Sequence, residues 1–285
     1  MTETTHPTDP TDDMQDDMQD DMQDDMQADL QADMQADMQH DAPDDGVRLE
    51  ITGSRDDDRI PAILMMPPAA LAPPAAADET GHRWPAALLL HGLSSDKERM
   101  ARSVGRTLRA MGVATLAIDL PLHGERRDAD SDRGARNPLA LAGAWRRAQR
   151  EAHAALDFLG RRRDVDAGRI GLVGYSMGSF LGLLVASAAS HVRAVVVAAG
   201  GDLPTGTPFD RAMRLIADPL QAVQRVAGRP LLMVHGRHDR TVLPEQAQRL
   251  FDAAREPKTM RWWDAGHYLP DAAITDASRW LSMNL

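Results

Sequence analysis

From residue 47 onward, short apolar runs alternate with longer segments of helical periodicity, and this alternation constrains the fold more than any other feature. The apolar runs, bounded by turn residues, predict strands, and the segments between them predict helices. The predicted strands are Val47–Thr52, Ile60–Met66, Ala86–His91, Val113–Asp119, Arg169–Gly174, Arg193–Ala199, Pro230–His235 and Lys258–Trp263. The predicted helices are Lys97–Met111, Pro138–Gly160, Met177–Ala189, Pro219–Ala227, Pro244–Ala254 and Asp271–Met283.

Strands that alternate with helices in this way predict an α/β fold, with a mostly parallel, doubly wound sheet between two layers of helices. The first two strands are expected to open the sheet as an antiparallel pair. Two short segments, Leu122–Ala144 and Gly201–Gln224, are candidates for a small cap. Because reactive groups in such sheets gather at the carboxyl ends of the strands, the residues that follow each strand are the candidates for catalytic side chains.

Residues 1–45 differ from the rest of the chain, because residues 12–39 form seven tandem tetrapeptides: four Asp-Asp-Met-Gln, one Ala-Asp-Leu-Gln and two Ala-Asp-Met-Gln. This segment holds 16 of the 43 acidic residues and no lysine or arginine, so residues 46–285 carry 27 acids against 32 bases. Repulsion between aspartates four residues apart opposes a helix. We therefore predict a disordered acidic tail over residues 1–45 and a catalytic domain over residues 46–285. A helix that docks on a partner through its methionine stripe is the alternative.

Composition excludes several classes of protein. The chain has no cysteine, which rules out disulfides, thiolate metal sites and a cysteine nucleophile. The basic residues are spread along the sequence, whereas a nucleic-acid surface needs them clustered on one face. No apolar stretch reaches the ~18–20 residues that span a bilayer, and residues 1–20 lack the pattern of a signal peptide. The expectation is a cytoplasmic protein that binds no nucleic acid and has no membrane span, with its oligomeric state left open.

The segment 174–178, Gly-Tyr-Ser-Met-Gly, matches the G-x-S-x-G pattern of a nucleophile elbow. In such an elbow a serine lies on a sharp turn between a strand and a helix, which raises its hydroxyl above the edge of the sheet. A predicted strand runs into this segment and a predicted apolar helix follows it. The pattern therefore makes Ser176 the candidate nucleophile.

A serine hydroxyl needs a base to take its proton and an acid to orient that base. Asp239 and His267 each follow a predicted strand, and with Ser176 they give the chain order Ser, Asp, His. Asp202, which follows the preceding strand, is a rival acid. A turn or capping role for Asp239 and a loop role for His267 are the structural alternatives.

Backbone N–H groups beside the nucleophile are candidates for binding the oxyanion of a tetrahedral intermediate. We assign these groups to Leu93, which follows the pair His91-Gly92, and to Met177, which follows the serine. A simple glycine turn at Gly92 is the alternative. The candidate apolar walls of a substrate pocket are Trp145, Phe209 and Met213, although each could equally pack in the core.

These features together resemble the α/β-hydrolase superfamily over residues 47–285. The segment 119–126, Asp-Leu-Pro-Leu-His-Gly-Glu-Arg, and the run Asp-Val-Asp at 164–166 are similar to the branch of dienelactone hydrolases and prolyl-oligopeptidase-like esterases. Dienelactone hydrolases proper use cysteine as the nucleophile. The serine at position 176 therefore favours ester hydrolysis over the dienelactone reaction.

The resemblance implies a serine carboxylesterase that acts on a small-molecule ester with a short acyl chain and needs no cofactor. A thioesterase or an amidase would use the same three residues, and a non-catalytic receptor or scaffold of the same fold is the alternative from a different class. His91, His235 and His238 lack a recognisable metal spacing, so no metal is implied. His123 precedes the serine in the chain, and we assign it a structural role in the loop 119–126.

Overall fold

The computed structural model describes residues 46–53, 55, 59–72, 82–93, 95–127, 138–205, 214 and 217–285, all within the unit Ala42–Leu285. Eight strands form one sheet in the order β1-β2-β4-β3-β5-β6-β7-β8. The strands are β1 (Val47–Thr52), β2 (Arg59–Met65), β3 (Trp84–Leu90), β4 (Ala114–Ile118), β5 (Val165–Tyr175), β6 (Val192–Ala198), β7 (Leu231–Gly236) and β8 (Lys258–Trp263). β2 is antiparallel to β1 and β4, and the remaining pairs are parallel, which confirms the predicted fold class and opening pair.

Six longer helical elements lie in the described part of the chain, five of them between strands and the sixth after β8. They are α1 (three consecutive segments, Lys97–Met100, Ala101–Gly105 and Arg106–Ala110), α2 (Pro138–Arg161), α3 (Met177–Ala188), α4 (Pro219–Arg225), α5 (Pro244–Ala253) and α6 (Asp271–Asn284). The middle segment of α1 is π-helical, a detail that the continuous helical periodicity of Lys97–Met111 does not reveal. Single 3₁₀ turns occur at Ala69–Leu71 and Gly124–Arg126.

The helices cover both faces of the sheet, as the strand β3 illustrates. Leu88 and Leu90 join one buried cluster with α2, α3, α4 and α5. The alternate residues Ala87 and Leu89 join a second cluster with α1 and α6. Side chains of a strand point to opposite faces in turn, so an uninterrupted apolar run is what a strand buried on both faces requires.

The turn after β4 is fixed by a buried ion cluster around Lys97. The ammonium of Lys97, which is 1% exposed, lies 2.8 Å from the carboxylates of Asp119 and Glu125 and 3.0 Å from that of Glu98. Gly124 has a φ of 56°, and a Cβ atom there would lie 2.1 Å from Asp119 Oδ1. The glycine in this segment is therefore required both for its backbone conformation and for space.

Two further observations qualify the sequence predictions. β5 begins at Val165, four residues before its predicted start, because Trp84 of β3 pairs with Val165 before the register shifts. Of the two candidate cap segments, residues 128–137, 206–213 and 215–216 lie outside the described residues. The described helices include none with the length and apolarity needed to cross a membrane.

Candidate active site

The candidate catalytic residues follow strands that end at the same edge of the sheet. Ser176 comes directly after β5, Asp239 lies three residues past β7, and His267 lies four residues past β8. Gly92 and Leu93 follow β3, the neighbour of β5. Since β3, β5, β6, β7 and β8 are parallel, their carboxyl ends gather these segments into one region.

Ser176 occupies a strained turn between β5 and α3. Its φ of 49° and ψ of −117° place a non-glycine residue in a rarely populated region, and its N–H donates to Ala198 O at 2.8 Å. The flanking glycines permit the turn, since a Cβ at Gly174 would lie 2.3 Å from Gly178 O and one at Gly178 would lie 2.2 Å from Leu90 O. The G-x-S-x-G spacing thus has a steric cause in this structure.

The three candidate side chains form a continuous hydrogen-bonded path. His267 Nε2 lies 2.9 Å from Ser176 Oγ, and His267 Nδ1 lies 2.9 Å from Asp239 Oδ2. The imidazole is 10% exposed and the carboxylate is fully buried. With Asp239 as an acceptor, His267 Nδ1 carries a proton and Nε2 is left to accept the proton of the serine hydroxyl.

Asp239 is oriented by donors on both of its oxygens. Its Oδ1 accepts the backbone N–H groups of Thr241 and Val242, each at 2.9 Å. Its Oδ2 faces His267 and also lies 3.3 Å from Nε2 of His235. The N–H groups of Thr241, Val242 and His267 hold the carboxylate in one orientation and compensate for its burial.

His235 is a residue of the site that sequence reasoning did not select. It is fully buried, and its Nε2 donates to Val242 O at 2.8 Å while facing Asp239. Burial lowers the pKa of His235, which keeps the ring neutral beside the carboxylate. Its place at the end of a predicted strand, four residues before the candidate acid, was the available signal.

The rival acid, Asp202, has other partners. Its carboxylate lies 2.9 Å from Arg214 Nη1 and 3.2 Å from Arg249 Nε, and it is 2% exposed. Its backbone N–H and carbonyl bond to Gln246 at the start of α5. Asp202 therefore ties the loop after β6 to α5, and the carboxylate beside His267 is that of Asp239.

The peptide between Gly92 and Leu93 lies beside the nucleophile and is held by His91. A Cβ at Gly92 would lie 3.3 Å from Ser176 Cβ. His91 Nδ1 donates to Gly92 O at 2.7 Å, and its Nε2 accepts the N–H of Leu120 at 3.0 Å. Burial lowers the pKa of His91 to about 4, so one neutral tautomer persists near neutral pH. Because a trans peptide points its N–H opposite to its carbonyl, the Leu93 N–H faces away from His91.

Met177 is the first residue of α3, where backbone N–H groups have no partner within the helix. Among the candidate wall residues, Trp145 lies in α2, partly buried against the core cluster of that face. Phe209 and Met213 lie outside the described residues. The ring of His123 lies 5.2 Å from that of His91, and its Nδ1 donates to Pro121 O at 2.8 Å. Both contacts lie at the loop 119–126, where a structural role was predicted for His123.

Within the described ranges, no group of three or more His, Asp or Glu side chains is arranged to hold a metal ion. His238 pairs with the exposed carboxylate of Asp264 at 2.7 Å. Both ring nitrogens of His91 bond to backbone groups, whereas His235 bonds a backbone carbonyl through Nε2 and its buried Nδ1 has no hydrogen-bond partner among the described residues.

An eight-stranded, mostly parallel sheet with a serine on a strained elbow after its fifth strand defines an α/β-hydrolase. The chain belongs to the dienelactone hydrolase family, whose sequence profile matches residues 69–267. Membership agrees with the resemblance seen in the sequence motifs.

Solved structures with the same fold include a cold-adapted esterase from an Arctic intertidal metagenomic library, with a TM-score of 0.60 at 21% identity over 84% of this chain and 93% of that one. Acetyl xylan esterase 1 from Thermoanaerobacterium sp. has a TM-score of 0.65 at 18% identity over 84% of this chain and 83% of its own. At these identities the likeness concerns the fold alone.

Among curated proteins, polyketide transferase ATR5 of Stachybotrys chlorohalonatus is 29% identical over 153 residues, which is 54% of this chain. The chain spans about half the length of that relative, 48%.

Proposed function

We propose that this protein is a serine hydrolase that cleaves carboxyl esters through an acyl-enzyme on Ser176. The observation that carries the proposal is the path from Ser176 Oγ through His267 to Asp239, with both links at 2.9 Å. Membership of the dienelactone hydrolase family and the esterases among the structural neighbours support hydrolytic chemistry on esters.

In the proposed reaction, Ser176 Oγ attacks the carbonyl carbon of the ester while His267 Nε2 takes the hydroxyl proton. Asp239 stabilises the imidazolium that forms and keeps its Nδ1–H directed at the carboxylate. His267 then gives the proton to the leaving alcohol, and the acyl-enzyme remains on Ser176. Water repeats the sequence, with His267 again acting as the base, and releases the acid.

The N–H groups of Leu93 and Met177 are the proposed donors to the oxyanion. The Gly92–Leu93 peptide lies beside Ser176, and its carbonyl is held by His91 on the opposite side. The Met177 N–H lies at the amino end of α3, where the helix dipole favours negative charge. Such donors contribute most when they are oriented before the reaction begins.

The proposed substrate is a small-molecule ester with a short acyl chain, since both candidate cap segments are short. Trp145, Phe209 and Met213 are the proposed apolar walls of the acyl pocket. Thioesters and amides are attacked at the same carbonyl carbon, so an assay must compare esters, thioesters and amides that carry the same acyl group.

The test is labelling with a fluorescent fluorophosphonate, run beside turnover of p-nitrophenyl esters of increasing acyl length. The wild type should be labelled and should turn over short esters fastest, whereas Ser176→Ala should lose labelling and about 10⁶-fold in kcat. Ser187→Ala, which removes a hydroxyl further along α3 that bonds Leu184 O, is the matched control and should behave as the wild type.

Labelling that persists in Ser176→Ala would contradict the assignment of the nucleophile. A folded wild type with neither labelling nor turnover would contradict the enzyme proposal and favour a receptor or scaffold. If the matching thioester or anilide is turned over faster than the ester, the substrate class is a thioester or an amide instead of an ester.

A further inference from the structure

The hydroxyl of Tyr175 bridges two backbone groups on either side of the exposed Tyr268, in the loop that carries His267. It donates to the carbonyl of His267 at 2.7 Å and accepts the N–H of Leu269 at 3.0 Å. Both lengths are those of well-formed hydrogen bonds. One side chain thus holds the backbone at the candidate base and two residues beyond it.

The loop that it holds has little other regular support. Residues 264–270 between β8 and α6 contain neither helix nor strand. Among the described residues, the backbone-to-backbone hydrogen bonds of this connection involve Ala265 and Pro270 but not Gly266, His267 or Leu269. The two bonds to the Tyr175 hydroxyl therefore act on the part of the loop where the position of the imidazole is decided.

Tyr175 itself is fixed by the sheet. It is the last residue of β5, it pairs with Ala198 of β6, and it directly precedes Ser176. Its ring lies 3.8 Å from the position that a Cβ of Gly92 would occupy, and 6.1 Å from the ring of His267 in an edge-on arrangement. The residue therefore touches the nucleophile turn, the base loop and the Gly92 turn at once.

The hydroxyl is suited to a permanent role as both donor and acceptor. Burial raises the pKa of Tyr175 above its ordinary value, so the group stays protonated wherever His267 works as a base. A phenolate could not donate to the His267 carbonyl.

We propose that Tyr175 is a positioning residue that sets the placement of His267 relative to Ser176 and Asp239. The proposal rests on the proposed function, because it assigns His267 the role of the base. Both hydrogen bonds of the imidazole are 2.9 Å long, and a displacement of the loop lengthens at least one of them. Misplacement of a reacting group by about 1 Å can cost on the order of 100-fold in rate.

The test compares Tyr175→Phe with Tyr268→Phe. The chain has two tyrosines, so the second variant removes the same atom one residue beyond His267, from a side chain that is 44% exposed. Turnover of a p-nitrophenyl ester is measured per site titrated with fluorophosphonate, which counts folded enzyme only. The Nδ1 proton of His267 is followed by NMR, because a ring proton bonded to a carboxylate resonates far downfield.

In Tyr175→Phe we expect kcat per titrated site to fall by about 10- to 100-fold with KM unchanged, and the downfield resonance to be lost or broadened. Tyr268→Phe should keep both. Ile63→Val removes a methyl group from the buried core at β2 and controls for lost stability. It should lower the melting temperature and leave kcat per site unchanged.

A Tyr175→Phe variant that retains the resonance, or whose kcat stays within about twofold of the wild type, would overturn the proposal. If the wild type turns over no substrate, the proposed function fails, and the resonance by itself then decides whether Tyr175 positions His267.

Discussion

Replacing Asp239 with asparagine exchanges one carboxylate oxygen of the proposed triad, which accepts hydrogen bonds, for an NH₂ group, which donates them. In the native site Oδ1 accepts two backbone N–H groups, from Thr241 and Val242, and Oδ2 accepts from His267. An asparagine must turn its NH₂ group toward one of these sides. An NH₂ group on the His267 side meets one bound donor, because His235 Nε2 directs its proton to Val242 O, whereas an NH₂ group on the backbone side meets two. The amide oxygen therefore stays with Thr241 and Val242.

The consequence is a change of tautomer on His267. With an NH₂ group as its neighbour, Nδ1 must become an acceptor, and the proton moves to Nε2, which then donates to Ser176 and cannot take its proton. The same substitution in serine proteases costs about 10⁴ in kcat, and each tenfold step corresponds to about 1.4 kcal/mol, so the expected loss of transition-state stabilisation is about 5 kcal/mol. Because the side-chain volume is unchanged, we expect little change in melting temperature.

The assay is steady-state turnover of p-nitrophenyl acetate at neutral pH, with the melting temperature recorded for every variant. Asp202→Asn is the matched control, since it alters an equally buried carboxylate that pairs with Arg214 and Arg249. The control should lower the melting temperature, because it weakens buried ion pairs, and keep kcat. A loss in Asp239→Asn below about tenfold, or an equal loss in Asp202→Asn, would refute the tautomer argument.

Three further predictions concern stability. Gly178→Ala places a Cβ 2.2 Å from Leu90 O and should cost about 1–3 kcal/mol by urea unfolding. Gly143→Ala, whose Cβ meets no described atom outside its own helix backbone within 4 Å, should be neutral or stabilising, and equal effects would contradict the steric argument. Lys97→Met leaves the buried carboxylate of Asp119 without its cation, whereas Glu98 and Glu125 keep Arg48, and it should cost about 3–5 kcal/mol. A loss below that of an exposed ion pair would refute the role of the cluster. Because His91 has a pKa of about 4 in the folded protein and 6.5 in the unfolded chain, the unfolded chain binds the extra proton between these values. The free energy of unfolding is therefore full above about pH 6.5 and decreases as the pH is lowered toward 4. The decrease in the free energy of unfolding is on the order of 3 kcal/mol. His91→Gln should make the free energy of unfolding less dependent on pH in this range, and parallel curves for the variant and the wild type would contradict the role of His91.

Much of this architecture could be predicted from local patterns. The apolar runs of β3 and β6 and the strand-to-helix turn at Ser176 indicate a doubly wound sheet, and the structure confirms that class. Positions after strand ends gave Ser176, Asp239 and His267 as candidates, because parallel strands bring their carboxyl ends to one edge. Local patterns did not predict the early start of β5, which depends on pairing with β3, or the π-helical segment of α1.

Partners that depend on contacts between distant segments were beyond local reasoning. In the sequence Tyr175 is an ordinary strand residue. Only the structure shows that its hydroxyl bonds two backbone groups of the loop after β8. His235 likewise reads as the end of a strand, although its ring faces Asp239. No periodicity or spacing encodes the Tyr175 contacts, since they join residues 92 and 94 positions apart in the chain.

The sequence by itself determined which reactive groups are available, their order along the chain and the strand ends that they follow. It did so because side-chain chemistry and the period of apolar residues are local properties. Only the tertiary structure decided that Asp239, and not Asp202, lies against His267, because both carboxylates follow strands of the same sheet. The order of β6, β7 and β8 and the turn after each strand set those distances, and both follow from how the whole sheet packs between its two layers of helices.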